Sequence, residues 1–193
     1  MFEYIEGKII EKSPAHVIIE SGGIGYSIHI SVNTYSKLPD VGEKRIYLHQ
    51  VIREDAHILF GFAEREERIM FRQLISVSGI GANTARVILS SLTHAEIMNA
   101  ILEGNVQTFQ NIKGIGQKTA QRLIIDLKDK VGKGGKSDEL FMSQSNTVRE
   151  EALSALIALG FIRNQVEKVL GAIMVKNPLF TVEEVVKQAL KML

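Results

Sequence analysis

Two near-copies, thirty-five residues apart, constrain this chain more than any other feature of it. The first runs from Leu74 to Leu92, LISVSGIGANTARVILSSL; the second runs from Phe109 to Leu127, FQNIKGIGQKTAQRLIIDL. In register, Gly79, Ile80, Gly81, Thr84, Ala85 and Leu92 meet Gly114, Ile115, Gly116, Thr119, Ala120 and Leu127. An internal repeat predicts one supersecondary unit used twice. In each copy an apolar helical pattern ends, a Gly-Ile-Gly turn follows, and a new amphipathic run begins.

That turn carries chemistry. Glycine reaches positive φ without steric cost and lets another molecule approach the backbone closely. Ile80 and Ile115 are expected to tuck inward between their glycines. The first N–H groups of the following helix have no intrahelical acceptor, and with the positive end of the helix dipole they suit an anion. Thr84 and Thr119 add a hydroxyl in that first turn, while Ala85 and Ala120 are small where two helices must cross closely. Together the copies resemble tandem helix-hairpin-helix motifs, which grip nucleic-acid backbones without reading bases. The residues expected to hold DNA are Gly79, Ile80, Gly81, Asn83 and Thr84 in the first copy. In the second they are Gly114, Ile115, Gly116, Lys118, Thr119 and Arg122. Lys118 and Arg122 share a helical face at i, i+4, so both could reach one backbone.

The charge is placed as phosphate binding would want. The formal net charge is only +1, but residues 64–136, which hold the repeat, carry 11 basic and 7 acidic side chains. Residues 1–63 carry 6 and 8, and residues 137–193 carry 6 and 7. The basic excess therefore sits on the repeat.

Ahead of the repeat, residues 1–63 read as β. Runs at Tyr4–Glu11, His16–Glu20, Tyr26–Val32, Lys44–Ile52 and His57–Phe62 are separated by turn clusters, with a helical turn expected over Asn33–Leu38. Five short strands predict a small closed barrel of the OB type. From Glu64 the period becomes helical. Helices are expected over Glu64–Val77 and Asn83–Leu92, then from Thr93, which forms a capping box with Glu96, to Glu103, then over Asn105–Ile112 and about Lys118–Val131. Residues 133–146, rich in Gly, Ser and charge, read as a flexible linker in which Leu140, Phe141 and Met142 are apolar islands. Residues 147–193 read as three short helices, with capping boxes at Thr147/Glu150 and Thr181/Glu184 and breaks at Gly160 and Asn177-Pro178. The expected architecture is a multidomain α+β chain: a five-stranded OB-type barrel over 1–63, an all-α tandem helix-hairpin-helix domain over 64–132, the linker over 133–146, and a small three-helix domain over 147–193.

Several chemistries are disfavoured. The chain has no cysteine, so it carries no disulfide framework and no cysteine metal site. Its five histidines, at 16, 29, 49, 57 and 94, lack metal-ligand spacing. Gly135-Lys136-Ser137 resembles the tail of a P-loop, but Lys130 stands where that motif needs glycine, and a helix rather than a strand precedes it. No nucleophile–base constellation is visible, and no metal or cofactor is expected. The start MFEYIEGK reads as neither signal peptide nor membrane span, and no apolar run of 18 or more occurs, so a cytoplasmic protein is expected. Glu54-Asp55 sits at the tip of a predicted hairpin and reads on chemistry alone as a solvated turn, with too few carboxylates for a metal site, yet the sign is odd for a protein meant to hold DNA.

The barrel containing VIREDAHILFGF (51–62), the tandem hairpins, the linker and a last domain with ALSALIALGF (152–161) together resemble the RuvA family, bacterial proteins that bind four-way Holliday junctions in recombination, repair and the SOS response. The resemblance covers the whole chain. It implies a homotetramer, or two tetramers, holding the junction open and square. It implies that Glu54 and Asp55 are an acidic pin at the centre of the fourfold arrangement. It implies that the third domain recruits RuvB, a hexameric ATP-driven motor, through Leu156, Leu159, Phe161 and Leu190, with core packing the equal alternative for Leu156 and Leu159, and that the resolvase RuvC joins the same complex. The chain itself would be non-catalytic. The family often has lysine where this chain has Asn83; an amide can donate to a phosphate but releases no counterion. The first hairpin should then rely on backbone amides and Thr84; Arg86 is the nearby cation that could compensate, in a direction the sequence does not fix. A general DNA-binding module without junction preference is the alternative.

Overall fold

Alternation of apolar side chains builds the first five strands. In the computed structural model, which describes residues 2–134, 144–177 and 180–193, they are β1 (Tyr4–Lys12), β2 (His16–Ser21), β3 (Ile24–Ile30), β4 (Gly42–Ile52) and β5 (His57–Phe62). They close into a barrel in the order β1-β2-β3-β5-β4, with β3 and β5 parallel and the other neighbours antiparallel. Ile5, Ile9, Val17, Ile19, Ile28, Ile30, Ile46 and Leu48 fill the interior and are buried. Closure leaves no strand edge open for pairing with another chain. The third strand begins two residues earlier than the sequence pattern suggests. Gly22 and Gly23, at φ 61° and 77°, make the whole turn themselves, so Ser21 already pairs with Ile24. Gly61 is a different case. A Cβ there would stand 2.5 Å from Ile28 Cγ2 and 2.8 Å from Ile46 Cγ2, so the barrel wall has no room for a side chain.

Between β3 and β4 lies α1 (Val32–Lys37), capped by the Ser31 hydroxyl, which accepts from the Thr34 amide at 2.9 Å. After β5 the chain turns at once into α2 (Arg65–Ile75), followed by α3 (Ala82–Ser91), α4 (His94–Glu103), α5 (Val106–Gln110) and α6 (Gln117–Gly134). The Thr93/Glu96 capping box is present, and Gly104 ends α4 in the left-handed region at φ 72°. Phe60 and Phe62 of β5 pack on Phe71 of α2, with ring centroids 5.2 and 5.0 Å apart. The helical core continues from there through Met70, Leu74, Ile88, Leu89, Ile97, Phe109 and Leu123. Barrel and hairpins thus form one compact unit, Met1–Gly135, and the remainder, Lys136–Leu193, is a second.

Polar groups seal the seam inside the first unit. Buried Arg68 donates to the Glu3 carbonyl at 2.8 Å and to the Glu3 carboxylate, and its guanidinium lies 5.5 Å from the Tyr47 ring centroid. The hydrogen bond from Arg68 holds the Glu3 carboxyl below its ordinary range.

In the second unit α7 (Gln144–Ala158), α8 (Arg163–Lys176) and α9 (Val182–Ala189) pack Ala152, Leu156, Val166, Leu170, Ile173, Val185 and Ala189 into a small core. Thr181 and Glu184 form the expected capping box on α9. The Thr147/Glu150 spacing is misleading: α7 begins at Gln144, so Thr147 lies within the helix. A capping signal marks where a helix can start but does not forbid the polar residues before it from continuing one. Gly135-Lys136-Ser137, the Leu140–Met142 islands, Pro178 and most of the 133–146 segment lie outside the described residues. Among the described residues no helix is long and apolar enough to cross a membrane, and no group of three or more His, Asp or Glu could hold a metal ion.

Candidate nucleic-acid interface

The two copies fold alike. In the first, the Val77 amide donates to the Leu74 carbonyl at 3.1 Å and the Ile80 amide to the Val77 carbonyl at 3.0 Å. In the second, Ile112 donates to Phe109 and Ile115 to Ile112, both at 3.1 Å. Gly79 and Gly114 take φ values of 93° and 92°, a conformation that L side chains rarely adopt. Ile80 and Ile115 point inward and are buried, leaving the glycines of each turn exposed. Ala85 and Ala120 are fully buried at the helix crossings, each donating its amide to the second glycine of its turn, Gly81 or Gly116, at 2.9 Å.

The start of α3 is left without a side-chain cap at Gly81, whereas α4 and α5 are capped by Thr93 and Asn105. An uncapped, glycine-led helix start keeps its first N–H donors available to an anion. Asn83 is exposed and Thr84 half-buried beside those donors. In the second copy Lys118 and Arg122 are both exposed one turn apart on α6, and among the described residues no carboxylate lies within ion-pair distance of either. Thr119 is half-buried, and its side chain stands 3.7 Å from where a Cβ of Gly79 would lie, so the second hairpin packs against the turn of the first.

Arg86, the nearby cation of the first copy, does not face that turn. Its Nη1 donates to the Ala15 carbonyl in the β1–β2 connection at 3.0 Å and lies 3.5 Å from His29 Nδ1. Burial, with Arg86 beside it, lowers the His29 pKa, so the imidazole is disposed to stay neutral. The first hairpin therefore presents backbone and small polar groups, and the second presents two cations. Lys113, exposed just before Gly114, adds a third cation that sequence reasoning passed over, although a lysine adjoining the turn was signal enough.

Glu54 and Asp55 lie at the tip of the β4–β5 hairpin, beyond the last pair Ile52–His57, in a turn held by the Arg53 amide donating to the Ala56 carbonyl at 2.8 Å. Both are exposed, and among the described residues neither has a cation within ion-pair distance. Two unneutralised carboxylates next to each other repel any phosphate that comes near.

In the second unit, Leu159 and Leu190 are exposed, Phe161 is half-buried, and Leu156 is fully buried in the core. Leu156 cannot itself line a surface; it supports the helix end from beneath, where the Phe161 amide donates to its carbonyl at 3.1 Å. Ile162 and Met192, which sequence reasoning did not single out, are as exposed as Leu159 and Leu190, at 64 % and 56 %.

Comparison with known proteins agrees with this architecture along its whole length. Residues 1–61 match the model of the RuvA N terminal domain, residues 71–129 the SAM-like helix-hairpin-helix tandem, and residues 147–193 the RuvA C-terminal domain. The Holliday junction branch migration complex subunit RuvA of Christiangramia forsetii is 53 % identical over 193 residues, covering 100 % of both chains. That of Flavobacterium psychrophilum is 53 % identical over 191 residues, 99 % of each chain, and that of Cytophaga hutchinsonii is 48 % identical over 198 residues, 100 % of each. With the barrel, the tandem hairpins and the three-helix unit each matched in chain order, the chain belongs to the RuvA family.

Proposed function

We propose that this chain is the DNA-binding, non-catalytic subunit of a branch-migration complex, holding a four-way junction open as a fourfold-symmetric homotetramer. The observation that carries the reading is the pairing, on one compact unit, of phosphate-seeking turns with an unneutralised acidic tip. Gly79–Gly81 and Thr84 offer backbone and hydroxyl donors to one phosphate run; Gly114–Gly116, Lys118, Thr119 and Arg122 offer donors and cations to another. Such contacts fix position on a duplex without reading its sequence. Glu54 and Asp55 would hinder binding to continuous duplex. Gathered about a fourfold axis, they make sense where strands part and each arm turns away. The exposed Leu159 and Leu190, with Phe161 beside them and Leu156 beneath, serve as the docking surface for a RuvB-type hexameric motor, which supplies the ATP hydrolysis. A RuvC-type resolvase shares the assembled junction, and the site of action is the cytoplasm.

The test is a competition gel shift between a four-way junction and a linear duplex of the same sequence and length. The chain should prefer the junction by about a hundredfold or more at ~0.1 M salt, a difference of roughly 3 kcal/mol. Equal affinity would replace this reading with that of a general DNA-binding module, and strand cleavage on adding Mg²⁺ would make the chain an enzyme.

A further inference from the structure

The first hairpin lacks a cation at its turn, yet it is the copy most firmly fastened to the barrel. The fastening is α1. A six-residue helix has little stability of its own, and this one is bonded along its length to the elements that flank the first Gly-Ile-Gly turn. Ser31, which caps α1, donates its hydroxyl proton to Glu67 Oε1 of α2. The Thr34 hydroxyl donates to Glu67 Oε2 at 2.7 Å and accepts from the Ala63 amide, in the β5–α2 connection, at 3.1 Å. Asn33 Nδ2 donates to the carbonyls of Leu89 and Leu92, at the end of α3, at 2.6 and 3.0 Å. The Val32 amide donates to the Ser90 hydroxyl at 3.1 Å, and Lys37 pairs with Glu64 at 2.6 Å. Ser31, Thr34 and Glu67 are buried.

The bonds joining Ser31, Thr34 and Glu67 are buried, and losing one partner there would strand the others unpaired, whereas the Val32 and Lys37 bonds are exposed. Burial pushes the Glu67 carboxyl up, while the Ser31 and Thr34 hydroxyls and the Lys37 charge pull it down and Glu64 opposes them. Arg86 reinforces the same attachment from α3 to the Ala15 carbonyl. Among the described residues no hydrogen bond of this kind joins α5 or α6 to the barrel; the second hairpin is placed by packing on the first, with Thr119 beside Gly79.

We propose that α1 is a clamp: Asn33 and Glu67 are positioning residues that fix the first hairpin relative to the acidic tip of the barrel, and this fixed spacing, rather than the strength of the grip, sets junction preference. The proposal rests on the junction-binding reading. A lone duplex arm needs only the turns. A junction needs turns and tip at one spacing in every copy, so loosening α1 penalises the junction selectively.

The experiment uses the full chain carrying Asn33→Ala, Glu67→Ala or Glu67→Gln, each in competition between a four-way junction and a linear duplex. With Asn33→Ala and Glu67→Ala the ratio of junction to duplex affinity should fall about tenfold while duplex affinity stays within about twofold of the unsubstituted chain. Glu67→Gln keeps an acceptor for one hydroxyl and offers a donor to the other, and should restore the ratio. If Glu67→Ala does not fold, Asn33→Ala, which removes two hydrogen bonds from a half-buried side chain, decides alone. An unchanged ratio in Asn33→Ala overturns the clamp. So does an equal loss on both DNAs together with a lowered melting temperature, which would mark a purely structural bond. A chain that prefers no junction before substitution removes the junction reading and the clamp with it, whereas a chain that does, with variants that keep the preference, removes the clamp alone.

Discussion

Replacing Lys118 and Arg122 together with alanine should lower junction affinity by about tenfold or more at ~0.1 M salt and flatten the dependence of log K on log salt by about two for each chain engaged. Both side chains are exposed on one face of α6, a turn apart, with no carboxylate of the described residues within ion-pair distance. Their removal costs the fold no core contact. Any loss is then electrostatic, and because phosphate contacts carry no sequence information it should be alike for junctions of different sequence. Asn83→Ala at the matching position of the first hairpin should change affinity by no more than about threefold and leave the salt slope intact, since an amide releases no counterion. A salt titration of binding for the three proteins checks both statements. An unchanged slope in the double variant would mean that α6 does not face the DNA backbone, and a steep loss in Asn83→Ala would reverse the division of labour between the copies.

Gly61→Val should be among the most destabilising single changes in the first unit. Even a methyl group at Gly61 would stand 2.5 Å from Ile28 Cγ2 and 2.8 Å from Ile46 Cγ2, with Ile30 Cγ2 at 3.6 Å behind them. Ile28 and Ile46 are fully buried on strands whose register is fixed by both neighbours, so neither can retreat without moving its strand. Overpacking of this kind costs about 1–3 kcal/mol for one added group, and valine, branched at Cβ, should reach or exceed ~3 kcal/mol. At roughly 2–4 °C per kcal/mol for a chain of this size, thermal melts should show unit 1 losing on the order of 10 °C. The second unit should melt as before, because its core is made of its own residues. A melting point for Gly61→Val within a degree or two of the original would show that the barrel wall yields where the closeness of Ile28 and Ile46 says it cannot.

The elements that sequence made legible are those whose signal is local. The repeat is a backbone device written in glycine: the residue type permits the positive φ at Gly79 and Gly114, and its recurrence at matching positions points to it. Strand alternation across Val17/Ile19, Ile28/Ile30 and Ile46/Leu48 likewise reports its own face. Gly61 shows the limit. Nothing near it in the chain says that isoleucines from two other strands occupy its side-chain space. The same holds for Glu67, which reads as one more charge at the start of an amphipathic helix until Ser31 and Thr34 arrive from more than thirty residues away. The direction of Arg86 is not written in its neighbours along the chain, which are the turn; in space its partner is Ala15. For Leu156 the family resemblance and core packing are equal alternatives in the sequence, because a helical pattern cannot separate a residue facing its own core from one facing a partner; the packing of α7 against α8 and α9 decides for the core.

All of this comes together only if the chain assembles with fourfold symmetry, since a single copy brings one acidic tip and two turns but no centre for a junction to open around. Light scattering of the 21.5 kDa chain alone and bound to a four-way junction tests that requirement directly. The expected result is an assembly of four chains in solution and junction complexes holding four or eight of them, as a closed fourfold ring or a pair of rings demands. A monomer or dimer that saturates the junction would contradict it.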